Sequence, residues 1–187
     1  MSLLMAAWHP DRFSAVSAWV GISDLADWYR FHAPQGKPDN YSQMMIGVFG
    51  GPPGTSPAID RDYQNRSPLF RLRHAKDLPV DIAAGVEDGH KGSVSVKHSL
   101  DAFNVLAQQL QGNEISAEEI KQITTEKRLK SPQADDTKTD ATFGRAILLR
   151  RSAGPSRVTI FEGGHEGLPK PACEWLAKQK KLTKKGK

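Results

Sequence analysis

Three short stretches of this chain have the composition of buried strands. They are residues 13–22 (FSAVSAWVGI), residues 79–86 (PVDIAAGV) and residues 157–162 (RVTIFE). Each is shorter than a typical helix, and each is rich in small or β-branched residues with little polar interruption. The pattern predicts three strands that are covered by other elements on both faces.

Helical patterns surround these three strands. The predicted helices are residues 1–9, 41–49, 95–109, 117–127 and 169–181. The clearest start signal is Ser116 with Glu119 three residues later, which is a capping box. Residues 95–109 place leucine, phenylalanine and valine on one side, as an amphipathic helix does.

The remaining segments are less regular. Residues 23–76 contain PQGKPDN and GGPPGTSP, so we expect an irregular region around one short helix. Residues 128–142 are polar and interrupted by proline, which predicts a mobile surface segment. The pattern of residues 143–151 fits a helix or an edge strand.

Strands that alternate with helices predict an α/β domain with a short, mostly parallel sheet of about three strands. The domain is expected to span residues 1–177, and 178–187 form a lysine-rich, disordered tail. A three-stranded sheet leaves unpaired backbone groups at both edges. A partner chain that covers such an edge is therefore one expectation.

Charge is concentrated in the tail. The chain has a formal charge of +5, and the tail KQKKLTKKGK contains six lysines and no acid. Subtracting these six lysines leaves −1 for residues 1–177. This distribution argues against specific nucleic-acid binding, and weak attraction of polyanions to the tail is the minor alternative.

Other signals are few. No run approaches the ~18 apolar residues of a membrane span, and the first residues lack the basic flank of a signal peptide. Cys173 is the only cysteine, which excludes an intrachain disulfide, and we expect it to pack on a helix face. No cofactor or metal site is expected, and the cellular compartment stays open.

Titratable side chains follow two of the predicted strands. Asp88 follows residues 79–86, and His165 follows residues 157–162 in the turn GGHEG. Functional residues of open parallel sheets gather at the carboxyl ends of strands. An acid followed by a histidine matches the end of the order Ser, Asp, His in α/β-hydrolases, although two ordinary turn residues would give the same pattern.

The chain resembles the C-terminal half of the catalytic domain of the prolyl oligopeptidase family of α/β-hydrolases. The matching stretches are SLLMAAWHPDRFSAVSAWVGISDL, SPLFRL with DLPVDIAAGVEDGH, and RVTIFEGGHEG. The resemblance implies a partial α/β-hydrolase fold, with Asp88 as the triad acid and His165 as the triad base. It also implies that residues 111–156 contain an insertion, because the acid and the base are further apart than is usual in the family.

The nucleophilic serine of the resembled family is missing from this sequence. No G-x-S-x-G occurs, and in the resembled family this elbow stands just before the helix that here begins at Met1. We therefore expect a serine-hydrolase fragment, acting on peptides or esters when complete and inactive as written. The alternative is a catalytically dead remnant or interaction domain.

For the other polar and aromatic residues, ordinary structural or surface roles are the main expectation. We expect structural or surface roles for His9, His74 and His98, and for His90 an exposed turn position, with a place beside the site as the alternative. We expect a solvated face for Arg145, Arg150 and Arg151, with contact to an anionic substrate group as the alternative. Either packing under a loop or contact with substrate is expected for the aromatic group Trp28, Tyr29, Phe31 and His32. Glu162 and Glu166 flank His165 and could tune it electrostatically.

Overall fold

A four-stranded sheet forms the centre of the domain. The computed structural model describes residues 1–75 and 77–180. The strands are β1 (Val16–Trp19), β2 (Val80–Gly85), β3 (Ile147–Ala153) and β4 (Ser156–Phe161), in the order β1-β2-β4-β3. β1, β2 and β4 run parallel, and β3 is antiparallel to β4. The predicted α/β class with a mostly parallel sheet is confirmed, with four strands where about three were expected.

The sequence of each strand matches its place in the sheet. Every residue of β2 is buried, as expected for a strand between two parallel neighbours. β3 lies at an edge and alternates buried and more exposed residues. It is joined to β4 by a tight turn in which Gly154 has a φ of 52°, a conformation that favours glycine.

Seven α-helices lie within the described ranges. They are α1 (Ser2–Trp8), α2 (Leu25–Phe31), α3 (Asn40–Phe49), α4 (Pro57–Arg66), α5 (Lys97–Gln109), α6 (Ala117–Glu126) and α7 (Pro169–Ala177). The capping box of Ser116 and Glu119 is present at the start of α6. The short helix expected at 41–49 is present as α3, but the irregular segment expected around it also contains α2 and α4. These three helices pack around a small core that contains Tyr29, Met45 and Tyr63.

The two faces of the sheet are covered differently. On one face α1 and α5 form the main core, in which Phe103 and Leu106 of α5 meet Ile82 and Ile160 of the sheet. On the other face a smaller cluster holds Ala83, Phe143, Ile147 and Phe161, with Trp19 and Leu168 packed against it. α7 lies over β1, but Cys173 on this helix is exposed, so the prediction that it packs inside was wrong.

The polar segment 128–142 is anchored to the sheet. Asp136 is fully buried and accepts hydrogen bonds from Arg151 of β3, from Nε at 2.6 Å and from Nη2 at 2.8 Å. Arg151 also donates to Glu119, and these contacts with Asp136 and then Glu119 raise its pKa. The expectation of a solvated Arg151 was therefore wrong, and the surface segment 128–142 is attached to β3 through Asp136.

The C-terminal tail lies mostly outside the described residues. α7 ends at Ala177, and the expected disorder of the lysine-rich tail concerns residues 181–187, which fall outside the described ranges. No helix in residues 1–75 and 77–180 combines the length and the apolar character that a membrane crossing requires.

Candidate active site

Parallel pairing of β2 with β4 brings the two predicted turns together. Gly85, the last residue of β2, is in register with Phe161, the last residue of β4. Beyond the strands, the N–H of Glu87 donates to the carbonyl of Gly163 at 2.8 Å. The chain after each strand therefore leaves the sheet at the same edge, as expected for the carboxyl ends of parallel strands.

Asp88 and His165 are hydrogen-bonded at this edge. His165 Nδ1 lies 2.8 Å from Asp88 Oδ2. The other carboxylate oxygen, Oδ1, accepts the N–H groups of Gly89 and Val94, both at 3.1 Å. Since an ionised carboxylate only accepts hydrogen bonds, the proton of this contact belongs to Nδ1, and the neutral imidazole then has its lone pair on Nε2.

Burial is distributed unequally within this pair. The Asp88 side chain is fully buried, whereas 45% of the His165 side chain is exposed. The carboxylate is thus held by the protein, while the imidazole reaches a surface cleft. This is the arrangement that an orienting acid and a proton-accepting base require.

Two glycines allow the close approach of the segments. A Cβ on Gly85 would overlap the backbone of Gly163 and Gly164. A Cβ on Gly92 would overlap Asp88 Oδ1 and lie 3.0 Å from His165 Cβ. The backbone packs against the pair so tightly that neither position has space for a side chain.

A salt bridge closes the turn that carries the histidine. Glu166 Oε1 accepts from Arg145 Nη1 at 2.6 Å and from the N–H of Gly164 at 3.2 Å. The Arg145 contact lowers the pKa of Glu166, and the Gly164 N–H acts in the same direction. The guanidinium of Arg145 also lies 5.9 Å from the centre of the Phe161 ring. Arg145 therefore fixes the turn from outside and is not a free solvated cation.

A cleft of about 480 Å³ lies in front of His165. Most of the residues that line it are of apolar type and include Trp19, Leu25 and Trp28, and Arg66 adds a charged side chain. Met1 of the first helix region lines the same space. The cleft thus runs from the exposed imidazole along β1 to the start of α1.

No serine of the described residues completes a triad with His165. Ser2 and Ser93 line the cleft, but neither hydroxyl is hydrogen-bonded to the imidazole in the part of the chain that the structure describes. Ser23 is fully buried and lies 3.3 Å from Nδ1 of His98, a histidine that is itself buried. Ser23 and His98 therefore form an internal contact that substrate cannot reach.

A second aspartate–histidine pair lies beside the cleft. His32 Nδ1 is 2.6 Å from Asp39 Oδ2, and His32 Nε2 is 2.7 Å from the carbonyl oxygen of Ser93. Trp28 Nε1 donates to the same carbonyl at 2.7 Å. Sequence reasoning singled out Trp28 and His32 but missed Asp39 as a partner. The available signal was the aspartate in PDNYS, which caps α3 by accepting the N–H groups of Tyr41 and Ser42.

The remaining candidates lie away from the cleft. His9, His74 and His90 are exposed. Arg150 is paired with Asp140 at 3.0 Å and is mostly buried. Within the described ranges, no group of three or more His, Cys, Asp or Glu side chains is placed to hold a metal ion.

Comparison with known proteins adds no family assignment. No protein-family model matches the chain, and neither the curated proteins nor the solved structures contain a significant match. The class of protein that the fold defines is an α/β domain with a mostly parallel four-stranded sheet. Any narrower identity depends on the chemistry of the Asp88–His165 pair.

Proposed function

We propose that Asp88 and His165 are the acid and the base of a serine-hydrolase site of the prolyl oligopeptidase type. The observation that carries the proposal is the contact of 2.8 Å between His165 Nδ1 and the fully buried Asp88 carboxylate, with the imidazole exposed to a cleft. The nucleophilic serine then comes from outside these 187 residues, and this chain alone is inactive.

The chemistry follows from the tautomer. His165 Nε2 takes the proton of the serine hydroxyl while the oxygen attacks the carbonyl carbon of a peptide or ester. Asp88 stabilises the imidazolium that forms, and the same proton then passes to the leaving group. Each donor that stabilises the oxyanion contributes about 3 kcal/mol in such sites. A missing nucleophile with its adjacent N–H therefore accounts for the expected inactivity.

Labelling with a fluorophosphonate probe tests the inactive state. The purified 187-residue chain is expected to remain unlabelled, because no activated serine is present. Stoichiometric labelling of any serine in this chain would contradict the assignment.

An extended chain tests the hydrolase itself. A strand followed by Gly-Xaa-Ser-Xaa-Gly is fused before Met1, since Met1 lines the cleft with His165. We expect labelling of the introduced serine, with loss of labelling when His165 is replaced by alanine or the serine by alanine. A folded extended chain that stays unlabelled would count against the proposal. The DNA directly upstream of the Met1 codon gives an independent test: an in-frame elbow supports the proposal, and an adjacent stop codon opposes it.

One further observation favours an interaction domain as the second candidate. β1 is an edge strand, and among the described residues no strand pairs with its outer side. A partner chain that adds a strand there would satisfy these backbone groups. Co-expression with a segment that carries the missing strands would then rescue solubility without producing probe labelling.

A further inference from the structure

The peptide group that joins Ser93 to Val94 connects the two aspartate–histidine pairs. Its N–H donates to Asp88 Oδ1 at 3.1 Å, and its carbonyl oxygen lies 2.7 Å from His32 Nε2. Among the described residues no peptide bond is cis, so the N–H and the carbonyl of this group point in opposite directions. The same rigid unit thus holds the acid of one pair and meets the imidazole of the other.

Both ring nitrogens of His32 face hydrogen-bond acceptors. Nδ1 faces the Asp39 carboxylate at 2.6 Å, and Nε2 faces the Ser93 carbonyl. A neutral imidazole has only one N–H, so one of these contacts would place a lone pair against an oxygen. Rotation of the ring by 180° does not remove the conflict, because both partners are acceptors.

Burial prevents water from relieving this conflict. Only 7% of the His32 side chain is exposed, whereas Asp39 is 46% exposed and remains hydrated. The titratable groups that contact the imidazole are Asp39 and the Tyr41 phenol, whose ring centre lies 4.7 Å away. Trp28 and Phe31 of α2 complete the contacts with the imidazole. The Ser93 carbonyl faces His32 Nε2 and also accepts the Nε1–H of Trp28 at 2.7 Å, so His32 and Trp28 hold it together.

We propose that His32 is a positioning residue for the Asp88–His165 pair: as an imidazolium bridging Asp39 and the Ser93 carbonyl, it fixes the peptide group that holds Asp88. Donors on the carbonyl side of an amide strengthen its N–H as a donor, so the bridge also strengthens the bond to Asp88 Oδ1. The importance of His32 for catalysis rests on the function proposed above. The positioning of the Ser93–Val94 peptide group by His32 does not depend on that function.

The Asp39→Asn variant separates charge from hydrogen bonding. Asp39 Oδ1 accepts two backbone N–H groups, so an asparagine places its oxygen there and turns its amide N–H toward His32 Nδ1. His32 then becomes neutral but keeps the N–H on Nε2, and the cap of α3 is retained.

Nuclear magnetic resonance of the histidine ring nitrogens tests the protonation state. In the wild-type chain at pH 7 we expect two ring protons on His32, and in Asp39→Asn only the Nε2 proton. A single ring proton on wild-type His32 would overturn the proposal, whether or not any variant folds.

The Nδ1 proton of His165 reports the positioning effect. Its downfield signal is expected in the wild type, Asp39→Asn and His32→Gln, whose amide supplies a donor to Ser93. It should be lost in His32→Ala, while the matched control Tyr41→Phe keeps it. A folded His32→Ala chain with an unchanged signal would refute the role of His32. If the wild-type chain lacks this signal, the result counts against the proposed hydrolase pair. The protonation state of His32 is measured separately, from the resonances of its own ring nitrogens.

Discussion

The Asp88–His165 pair and the Asp39–His32 pair use the same two residue types with opposite burial. In the first, the carboxylate is fully buried and the imidazole is 45% exposed. In the second, the imidazole is 7% exposed and the carboxylate is 46% exposed. The distances are similar, 2.8 Å and 2.6 Å, so distance alone does not distinguish their roles.

What distinguishes them is the second ring nitrogen. His32 Nε2 is occupied by the Ser93 carbonyl, whereas no described residue hydrogen-bonds His165 Nε2. A base needs a lone pair that faces solvent or substrate, and only His165 offers one. Under the proposed function, only the Asp88–His165 pair is free to transfer a proton, and the Asp39–His32 pair supports the structure beside it.

The largest expected effect comes from replacing Asp88 by asparagine. Asp88 Oδ1 accepts two N–H groups, so Asp88→Asn would turn its amide N–H toward His165 and move the imidazole proton to Nε2. In the nucleophile-bearing extended chain we expect labelling by the probe to slow by about 10⁴-fold. Asp39→Asn is the matched control and should change the rate by less than about threefold, since His32 keeps its donor. Equal losses in the two variants would remove the distinction between the pairs.

A methyl group at Gly92 would disrupt the first pair sterically. Its Cβ would overlap Asp88 Oδ1, and we expect Gly92→Ala to cost about 3 kcal/mol of unfolding free energy. Gly164→Ala is the control in the same site, because nothing lies within 4 Å of its Cβ position. Urea denaturation of both variants measures the difference. A stable Gly92→Ala chain would show that the segment around Asp88 is looser than the structure indicates.

Removal of the buried histidine should reduce stability moderately. His32→Ala deletes the contacts with Asp39 and Ser93, at a cost of about 2 kcal/mol for hydrogen bonds that involve charged groups. His90→Ala removes an exposed histidine and should change stability by less than about 0.5 kcal/mol. If thermal denaturation gave the same result for both, His32 would not support the structure.

The smallest effect concerns acid. Burial would raise the pKa of Asp39, but the N–H of Ser42 and the contact with His32 lower it below its ordinary value of 3.8. The folded protein then binds fewer protons than the unfolded chain, so this contribution is present above pH 3.8 and is lost as pH falls through the lower folded pKa. Because Asp39 is exposed, we expect ~0.5 kcal/mol or less. Nuclear magnetic resonance of the Asp39 carboxyl carbon in the folded wild-type chain should show a titration midpoint below 3.8, and a midpoint at or above 3.8 would contradict this.

Local patterns were enough to predict the strands that position the site. The apolar runs at 79–86 and 157–162 are β2 and β4 in the structure. They were recognisable because a strand that is buried on both faces has an almost uninterrupted apolar sequence. The pattern of residues 143–151 fitted a helix or an edge strand. In the structure most of this stretch belongs to the edge strand β3, which is stabilised by pairing with β4, a contact that a local pattern does not show. Asp136 could not be recognised as buried, since its partner Arg151 lies 15 positions away.

The candidate site was predictable only in its strand-end residues. Asp88 and His165 stand in glycine-rich turns after apolar runs, which is a local signal. The Ser93 carbonyl has no side-chain signature, so its contact with His32 could not be predicted. Asp39 carries a signal for a helix cap, but its second role depends on how α2 packs beside the loop after β2.

Parallel pairing of β2 with β4 also determines when the base acquires its acid during folding. Asp88 and His165 are 77 positions apart, and they meet only after β2 and β4 have come into register. Closing so long a segment is entropically costly and slow compared with forming α5 or α6, which need only local contacts. A collapsed intermediate with native helices would therefore still lack an oriented imidazole. The Nδ1 proton of His165 should therefore appear together with the pairing of β2 and β4, and it provides a kinetic marker of that step.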